Sequence, residues 1–202
     1  MYPPAEDSFL LSDSIKKYLI SKNKSINILD MGTGSGIQAE TCKNLGFNNI
    51  LAADIDEQVL KFLKNKINIK TIKSNLFSKI KEKFDLIMFN PPYLPEDKHD
   101  KEKDTSGGKK GDETIISFLN QAKSHLTKDG EILLLLSSLT PRKEINKITK
   151  KYYKKKKIAD KKLFFENLEV WRLKEKWLNS EAHDSKLSAI LNFHRVIIFL
   201  NG

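Results

Sequence analysis

The chain has 202 residues, of which 39% are hydrophobic and 31% charged, as is typical of a globular protein with one core. No apolar run approaches 18 residues and no basic segment precedes an apolar one at the start. We therefore expect neither a membrane span nor a secretory leader, and a cytoplasmic protein without membrane contact. The formal net charge of +10 rests mostly on lysine, since only Arg142, Arg172 and Arg195 are arginine, and this weakens the case for a nucleic-acid partner.

Helical and strand patterns alternate along the chain. Leu11, Ile15 and Leu19 recur at helical spacing, and later segments carry similar stripes. The predicted helices are 6–21, 37–45, one bearing Val59, Leu63 and Ile67, 113–126 and 141–152; the predicted strands are 26–31, 49–54, 69–73, 84–89 and 131–137, followed by extended pieces at 158–165 and 168–174 that form a hairpin. Gly46 and Asp112 are placed to cap two of the helices. The alternation predicts a parallel sheet covered on both faces.

A glycine-rich loop follows the first predicted strand. Residues 30–36 read D-x-G-x-G-x-G, and Asp54 closes the next strand. Dinucleotide sites use G-x-G-x-x-G, but Ile37 stands where the third glycine would be. A glycine at position 36 suits a backbone that passes close under a ligand without phosphate, and the Asp54 carboxylate would accept hydrogen bonds from ribose hydroxyls. The alternative is a tight strand-to-helix turn with no ligand.

The strand at 84–89 ends in Asn90-Pro91-Pro92-Tyr93. Proline has no N–H for a sheet ladder, so one interpretation is simply a stop signal. Open α/β sheets bind ligands at the carboxyl ends of their strands, so the other interpretation is a rigid rim that presents polar groups there.

Together, the glycine loop, Asp54 and the NPPY tetrapeptide resemble class I S-adenosylmethionine-dependent methyltransferases that act on a planar nitrogen. The stretches Pro4–Leu11 and Gly107–Gly111 are similar to the eukaryotic and archaeal HemK-type release-factor methyltransferases. The resemblance covers roughly residues 2–174. It implies an α/β, Rossmann-like fold, with a mostly parallel seven-stranded sheet, helices on both faces and an antiparallel final strand.

The resemblance also implies site residues and a cofactor, S-adenosyl-L-methionine. The implied cofactor-binding residues are Asp30, Gly32, Thr33, Gly34, Gly36, Asp54, Ile55, Asn75, Leu76 and Asn90. The implied catalytic residues are Asn90, Pro91, Pro92 and Tyr93. Asn75 stands where relatives usually place an aspartate against the adenine amine, a bond that its amide oxygen can still accept. No metal is expected, because Cys42 is the only cysteine and no metal-ligand spacing surrounds it.

The implied acceptor is the glutamine amide of a Gly-Gly-Gln loop in a class 1 translation release factor. The alternative is the exocyclic amine of adenine or cytosine in RNA or DNA, although one domain of this size leaves little chain for holding a flipped base. Relatives commonly work with a small zinc-binding activator. A heterodimer is therefore a hypothesis, with the 69–73 strand as the sheet edge that pairs with the activator.

Each of three stretches has two interpretations. Lys150, Lys151 and Lys154–Lys157 around Tyr152 and Tyr153 form either a solvated face or a track for a phosphate backbone. The polar linker 95–110 is either a lid or disorder. The methyltransferase domain is expected to span 1–174, and the extension 175–202 either packs on it as a helix and a strand or serves in docking.

Overall fold

The computed structural model describes residues 3–93 and 111–176. Five α-helices and seven strands follow one another along the chain. The helices are α1 (Glu6–Leu19), α2 (Ile37–Asn44), α3 (Glu57–Ile67), α4 (Glu113–Ala122) and α5 (Lys143–Tyr152). The strands are β1 (Ile28–Met31), β2 (Ile50–Asp54), β3 (Lys70–Lys73), β4 (Phe84–Phe89), β5 (Leu126–Ser137), β6 (Tyr153–Lys162) and β7 (Asn167–Glu175).

The seven strands form a single sheet in the order β3-β2-β1-β4-β5-β7-β6. The pairs among β1 to β5 are parallel, whereas β7 runs antiparallel to both β5 and β6. The predicted mostly parallel sheet with an antiparallel final strand is therefore confirmed. The predicted hairpin is also confirmed, and β3 forms the expected edge.

Each face of the sheet is covered by its own helices. One apolar cluster joins the sheet to α1, α2 and α3, and the other joins it to α4 and α5. Alternate strand residues enter opposite clusters, as Ile28 and Leu29 do, because successive side chains of a strand point to opposite faces. The central strands are consequently apolar on both sides, and Leu86 and Ile87 are fully buried.

Two predictions about helix α4 were wrong. Helix α4 ends at Ala122, a 3₁₀ turn follows, and β5 already begins at Leu126. Leu126 is buried and pairs with Phe84, so tertiary pairing overrides its helical spacing to the preceding apolar residues. Asp112 does occupy the N-cap of α4, but its side chain makes no capping hydrogen bond to the part of the chain described. Gly46 ends α2 with a φ of 84°, as predicted.

The lysine cluster lies mainly on the outer strand of the sheet. Strand β6 begins at Tyr153 rather than at 158, so Lys154–Lys157 occupy an exposed edge, where lysines oppose pairing with another sheet. The Tyr153 ring is buried and its hydroxyl donates to the Leu119 carbonyl over 2.6 Å. Tyr153 is therefore a core residue and not a platform for stacking bases, which favours the solvated-face interpretation.

Among the described residues, no helix has both the length and the apolar character needed to cross a membrane. The linker 95–110, Gly107 and Gly108, and the extension beyond residue 176 lie outside the described residues. The lid, the added helix and strand, and the docking role of the extension therefore stay predictions.

Candidate functional site

Four strand ends bring the predicted site residues to one edge of the sheet. Met31 pairs with Ala53 on one side and Phe89 on the other, and Asp54 pairs with Lys73. The segments that leave these parallel strands therefore lie side by side at the carboxyl edge. They are the glycine loop 32–36, residues 54–55, residues 75–76 and residues 90–93.

The glycine loop is held in a left-handed conformation by its own hydrogen bonds. Gly32, Gly34 and Gly36 have φ angles of 60°, 50° and 78°, which residues with a Cβ rarely adopt. The Thr33 N–H donates to the Ala53 carbonyl over 3.1 Å, and the Gly36 N–H donates to the Thr33 carbonyl over 2.8 Å. The loop is thus fastened to the neighbouring strand before α2 begins.

Gly36 serves packing between helices. A Cβ at Gly36 would lie 2.0 Å from Leu63 Cδ2 and within 3.3 Å of both other branch carbons of that side chain. Leu63 lies on α3 and is fully buried. The glycine at 36 therefore lets α3 pack against the start of α2, a reason that differs from the predicted close approach to a ligand.

Gly34, in contrast, faces open space. A Cβ there would meet only the Gly32 carbonyl, at 3.9 Å. Its N–H donates to Asp54 Oδ2 over 3.0 Å, while Asp54 Oδ1 accepts from the Asp56 N–H over 3.0 Å. The half-buried Asp54 carboxylate is thereby fixed beside the open part of the loop, with lone pairs left for further donors.

Asp30 lies beneath the loop and is 1% exposed. Its Oδ2 accepts hydrogen bonds from the Thr33 hydroxyl over 2.6 Å and from the Ala39 N–H over 3.2 Å. Burial raises the pKa of this carboxyl to about 7, against the lowering effect of these two donors. The contacts that Asp30 makes here join the loop to α2.

This raised pKa predicts a pH-dependent stability. Because the folded chain holds the Asp30 proton more tightly than the unfolded chain, the free energy of unfolding should fall as pH rises from about 4 to about 7. The slope from this group is at most about 1.4 kcal/mol per pH unit. Urea unfolding from pH 4 to 8 measures it, with Asp30→Asn as the control in which that component vanishes. Equal slopes in both proteins would contradict the prediction.

Two exposed side chains, Ile55 and Asn75, follow the carboxyl ends of β2 and β3. Ile55 is 67% exposed directly after β2. Ser74 folds the turn after β3, because its hydroxyl donates to the Leu76 carbonyl over 2.7 Å and accepts from the Lys79 N–H over 3.1 Å. Leu76 has a φ of 47°, an uncommon value for a residue with a side chain, and Asn75 is exposed. An apolar group and an amide therefore stand where a planar ring could lie.

The Asn90 amide is oriented by the start of α1. Its Nδ2 donates to Asp7 Oδ2 over 2.9 Å and lies 3.5 Å from Ser8 Oγ. A carboxylate cannot donate, so the nitrogen must face Asp7 and the oxygen must face away. Asn90 Oδ1 is buried and has no hydrogen-bond partner among the described residues. An orphaned buried acceptor carries a free-energy penalty, which is removed when a donor binds.

Asp7 is a candidate site residue that was not predicted from the sequence. It is 4% exposed, and its Oδ1 accepts from the Ser8 N–H over 2.6 Å. The only sequence signal was its place in the stretch Pro4–Leu11, which carried the family resemblance without indicating a contact with Asn90. The structure brings the two residues together although 83 positions separate them.

The rest of the tetrapeptide forms a rim beside Asn90. Pro91 is buried, whereas Pro92 and Tyr93 are half-buried. The Tyr93 ring packs against both apolar clusters. The site therefore joins an orphaned acceptor, a carboxylate at a strand end and an open glycine backbone, an arrangement that fits a ribose-containing ligand beside a donor of N–H groups.

Comparisons with known proteins indicate the family of the chain. The family model described as Methyltransferase small domain matches residues 10–165. The chain is 37% identical over 187 residues to a protein of Methanocaldococcus jannaschii with the provisional name protein N5-glutamine methyltransferase, covering 86% of this chain and 92% of that protein. It is 35% identical over 109 residues to a release factor glutamine methyltransferase of Fusobacterium nucleatum, covering 50% of this chain and 30% of that protein.

Solved structures share the fold. The Mtq2–Trm112 complex of E. cuniculi, responsible for methylation of the eRF1 translation termination factor, matches with a TM-score of 0.68. The match covers 87% of this chain and 98% of that chain at 20% identity. The predicted class I methyltransferase fold is thereby confirmed.

Proposed function

Because the chain belongs to the methyltransferase small domain family, we propose that it transfers a methyl group from S-adenosylmethionine to the side-chain amide nitrogen of glutamine in the Gly-Gly-Gln loop of a class 1 release factor. The observation that carries this proposal is the orphaned, buried Asn90 Oδ1. The names of two relatives, a protein N5-glutamine methyltransferase and a release factor glutamine methyltransferase, support this acceptor.

The residues at the strand ends fit the cofactor. The open side of Gly34 leaves room for its amino-acid part, and the Asp54 carboxylate suits the ribose hydroxyls. The adenine ring would lie against Ile55 and Leu76, with the Asn75 amide near its amine. Asp30, Gly32, Thr33 and Gly36 act mainly by holding the loop in place, as their contacts indicate. The bound cofactor supplies an electrophilic methyl group on a positively charged sulfur.

The NPPY rim orients the acceptor. The lone pair of an amide nitrogen is delocalised, so the reaction depends on orientation more than on removing a proton first. Asn90 Oδ1 accepts one N–H of the glutamine amide and the Pro91 carbonyl accepts the other, which turns the nitrogen toward the methyl carbon. Pro92 stiffens the backbone, and Tyr93 forms a wall for the amide plane.

The reaction needs no general base in the NPPY rim. The cofactor, held by the glycine loop and Asp54, would supply the methyl carbon for the new bond to nitrogen, and its sulfur would keep the electron pair of the broken carbon–sulfur bond. The nitrogen then loses one proton to solvent, which restores a neutral secondary amide. Asn90 and Pro91 hold the two N–H groups until that proton leaves, after which one of them keeps the remaining N–H, and neither needs to change protonation.

The cofactor assignment predicts that Asp54→Ala weakens S-adenosylmethionine binding by roughly 1–3 kcal/mol, because charge-assisted hydrogen bonds to the ribose are lost. Isothermal titration calorimetry measures this change. Glu57→Ala is the matched control, since Glu57 is a nearby acid that pairs with Lys61 and Lys73 on the surface. Unchanged affinity in Asp54→Ala, or an equal loss in the control, would move the ribose contact to another residue.

We propose a small zinc-binding activator as a partner at the β3 edge. Strand β3 is an outer strand, Thr71 and Ile72 are half-buried, and Lys70 and Lys73 are exposed. Co-expression with such an activator should yield a heterodimer. Thr71→Pro should prevent it by removing a donor from the free edge, because the Ser74 N–H bonds to Asp54 in β2 and Thr71, an odd number of residues away, faces the opposite side. A heterodimer that persists in Thr71→Pro would place the interface elsewhere.

The acceptor is tested with labelled cofactor and parallel substrates. Release factor, its Gln→Asn variant, and adenine- and cytosine-containing RNA and DNA are each incubated with the full chain and its activator. Transfer to release factor alone, lost in the Gln→Asn variant, is expected. Transfer to nucleic acid without transfer to release factor would support the base-methylating alternative.

A further inference from the structure

The turn between β6 and β7 carries two aromatic side chains in solvent. Phe164 is 92% exposed and Phe165 is 84% exposed, and their ring centroids lie 4.6 Å apart in an edge-to-face arrangement. Turns favour Gly, Asn, Asp, Ser and Pro, so the hairpin itself requires neither ring. Adjacent, fully exposed aromatic rings are instead typical of contact surfaces.

This turn lies at the same edge of the sheet as Asn90. Strand β6 is antiparallel to β7, which is antiparallel to β5, so β6 and β5 end at the same edge. Ser137 and Lys161 both pair with Leu168, which sets the two strand ends level. Three strand spacings separate β4 from β6, about 14 Å. The rings are therefore too far away to touch a bound glutamine side chain but within the footprint of a protein that carries it.

The turn is fastened to the loop after β5. Glu166 accepts a hydrogen bond from the Ser137 hydroxyl, and the Leu163 N–H donates to the Glu166 carbonyl over 2.8 Å. The Asn167 N–H donates to Ser138 Oγ over 2.9 Å. Leu139, 48% exposed, adds a third apolar side chain on that loop. The two rings are thus presented on a preorganised support.

A line of contacts connects the turn to the acceptor site. Lys161 at the end of β6 forms an ion pair with Glu6. Glu6 precedes Asp7, which holds the Asn90 amide. The aromatic turn and the NPPY rim therefore border one continuous surface.

We propose that Phe164 and Phe165 dock the protein acceptor by binding an apolar surface of the release-factor domain beside its Gly-Gly-Gln loop. This inference rests on the proposed function. Two rings bury roughly 300–500 Å², which is too little for a stable dimer of this chain, since that needs about 800 Å² per partner. An area of this size can enlarge an interface that is already held together by the bound glutamine.

The test is steady-state kinetics of the full chain with release factor and, separately, with a short Gly-Gly-Gln peptide. The double substitution Phe164→Ser with Phe165→Ser should raise the KM for release factor about tenfold or more, as loss of aromatic anchors does, with kcat unchanged. Peptide kcat/KM and cofactor affinity should not change. Phe164→Leu with Phe165→Leu should restore most of the KM. Ile20→Ser is the control, because Ile20 is 84% exposed at the far end of α1.

Each contrary outcome overturns a defined statement. If the wild-type chain methylates release factor but the serine double variant has an unchanged KM, the docking inference alone is wrong. If the wild-type chain does not methylate release factor at all, the proposed function is wrong as well. A fall in Tm of more than about 5 °C, beyond what surface substitutions cause, would mean that the rings are covered by this chain. A change from dimer to monomer would mean self-association. Either result overturns the docking inference.

Discussion

Asn90→Ala is expected to abolish methyl transfer while leaving S-adenosylmethionine affinity nearly intact. The substitution removes the one buried acceptor without a partner among the described residues that faces the proposed glutamine amide. Losing a preorganised polar group at a reacting centre costs about 10²–10³ in kcat. Single-turnover rates with labelled cofactor measure the loss, and calorimetry measures cofactor affinity.

A variant of Asp7 tests the orientation of the Asn90 amide separately from the contact that Asn90 makes with the acceptor. Asp7→Asn puts a side chain that both donates and accepts beside the Asn90 Nδ2, so the Asn90 amide can turn over and present nitrogen instead of oxygen. We expect a partial loss of kcat, smaller than in Asn90→Ala, with an unchanged Tm. Full activity of Asn90→Ala would contradict the acceptor role, and a loss confined to cofactor affinity would place Asn90 on the cofactor alone.

The sequence indicated the candidate site residues in segments where local chemistry determines the backbone. The glycine loop and the two prolines impose distinctive φ angles on short segments, so position and spacing along the chain were sufficient. Asp7 could not be assigned in the same way. Nothing in the spacing of α1 distinguishes Glu6, which pairs with Lys161, from Asp7, which holds Asn90, because both partners lie far away in sequence.

Contacts between residues far apart in sequence also explain the other differences between prediction and structure. The reason for Gly36 lies in Leu63, 27 residues later and on another helix. Leu126 continues the apolar spacing of α4, yet pairing with Phe84 draws it into β5. In each case the decisive contact is tertiary, and a single sequence records periodicity but not which faces meet.

Gly36→Ala is expected to lower the free energy of unfolding by about 2–5 kcal/mol, through backbone strain and a clash with Leu63. A left-handed φ of 78° costs a residue with a Cβ about 1–2 kcal/mol. Overpacking a filled core costs about 1–3 kcal/mol more. Relief of the contact requires the fully buried Leu63 side chain to move within the core, because all three of its branch carbons lie within 3.3 Å of the added Cβ.

Substitutions of two other glycines distinguish the effects of conformational strain, steric clash and ligand contact. Gly46 has a φ of 84° and nothing within 4 Å, so Gly46→Ala should lose only the strain, about 1–2 kcal/mol. Gly34→Ala should lose a similar amount of stability but also weaken cofactor binding, because its open side faces the proposed ligand. In a Leu63→Ala background, Gly36→Ala should cost about as much as Gly46→Ala, since the clash is gone. Urea unfolding of the single and double variants measures this coupling. If Gly36→Ala costs the same in both backgrounds, Leu63 is not the reason for glycine at this position.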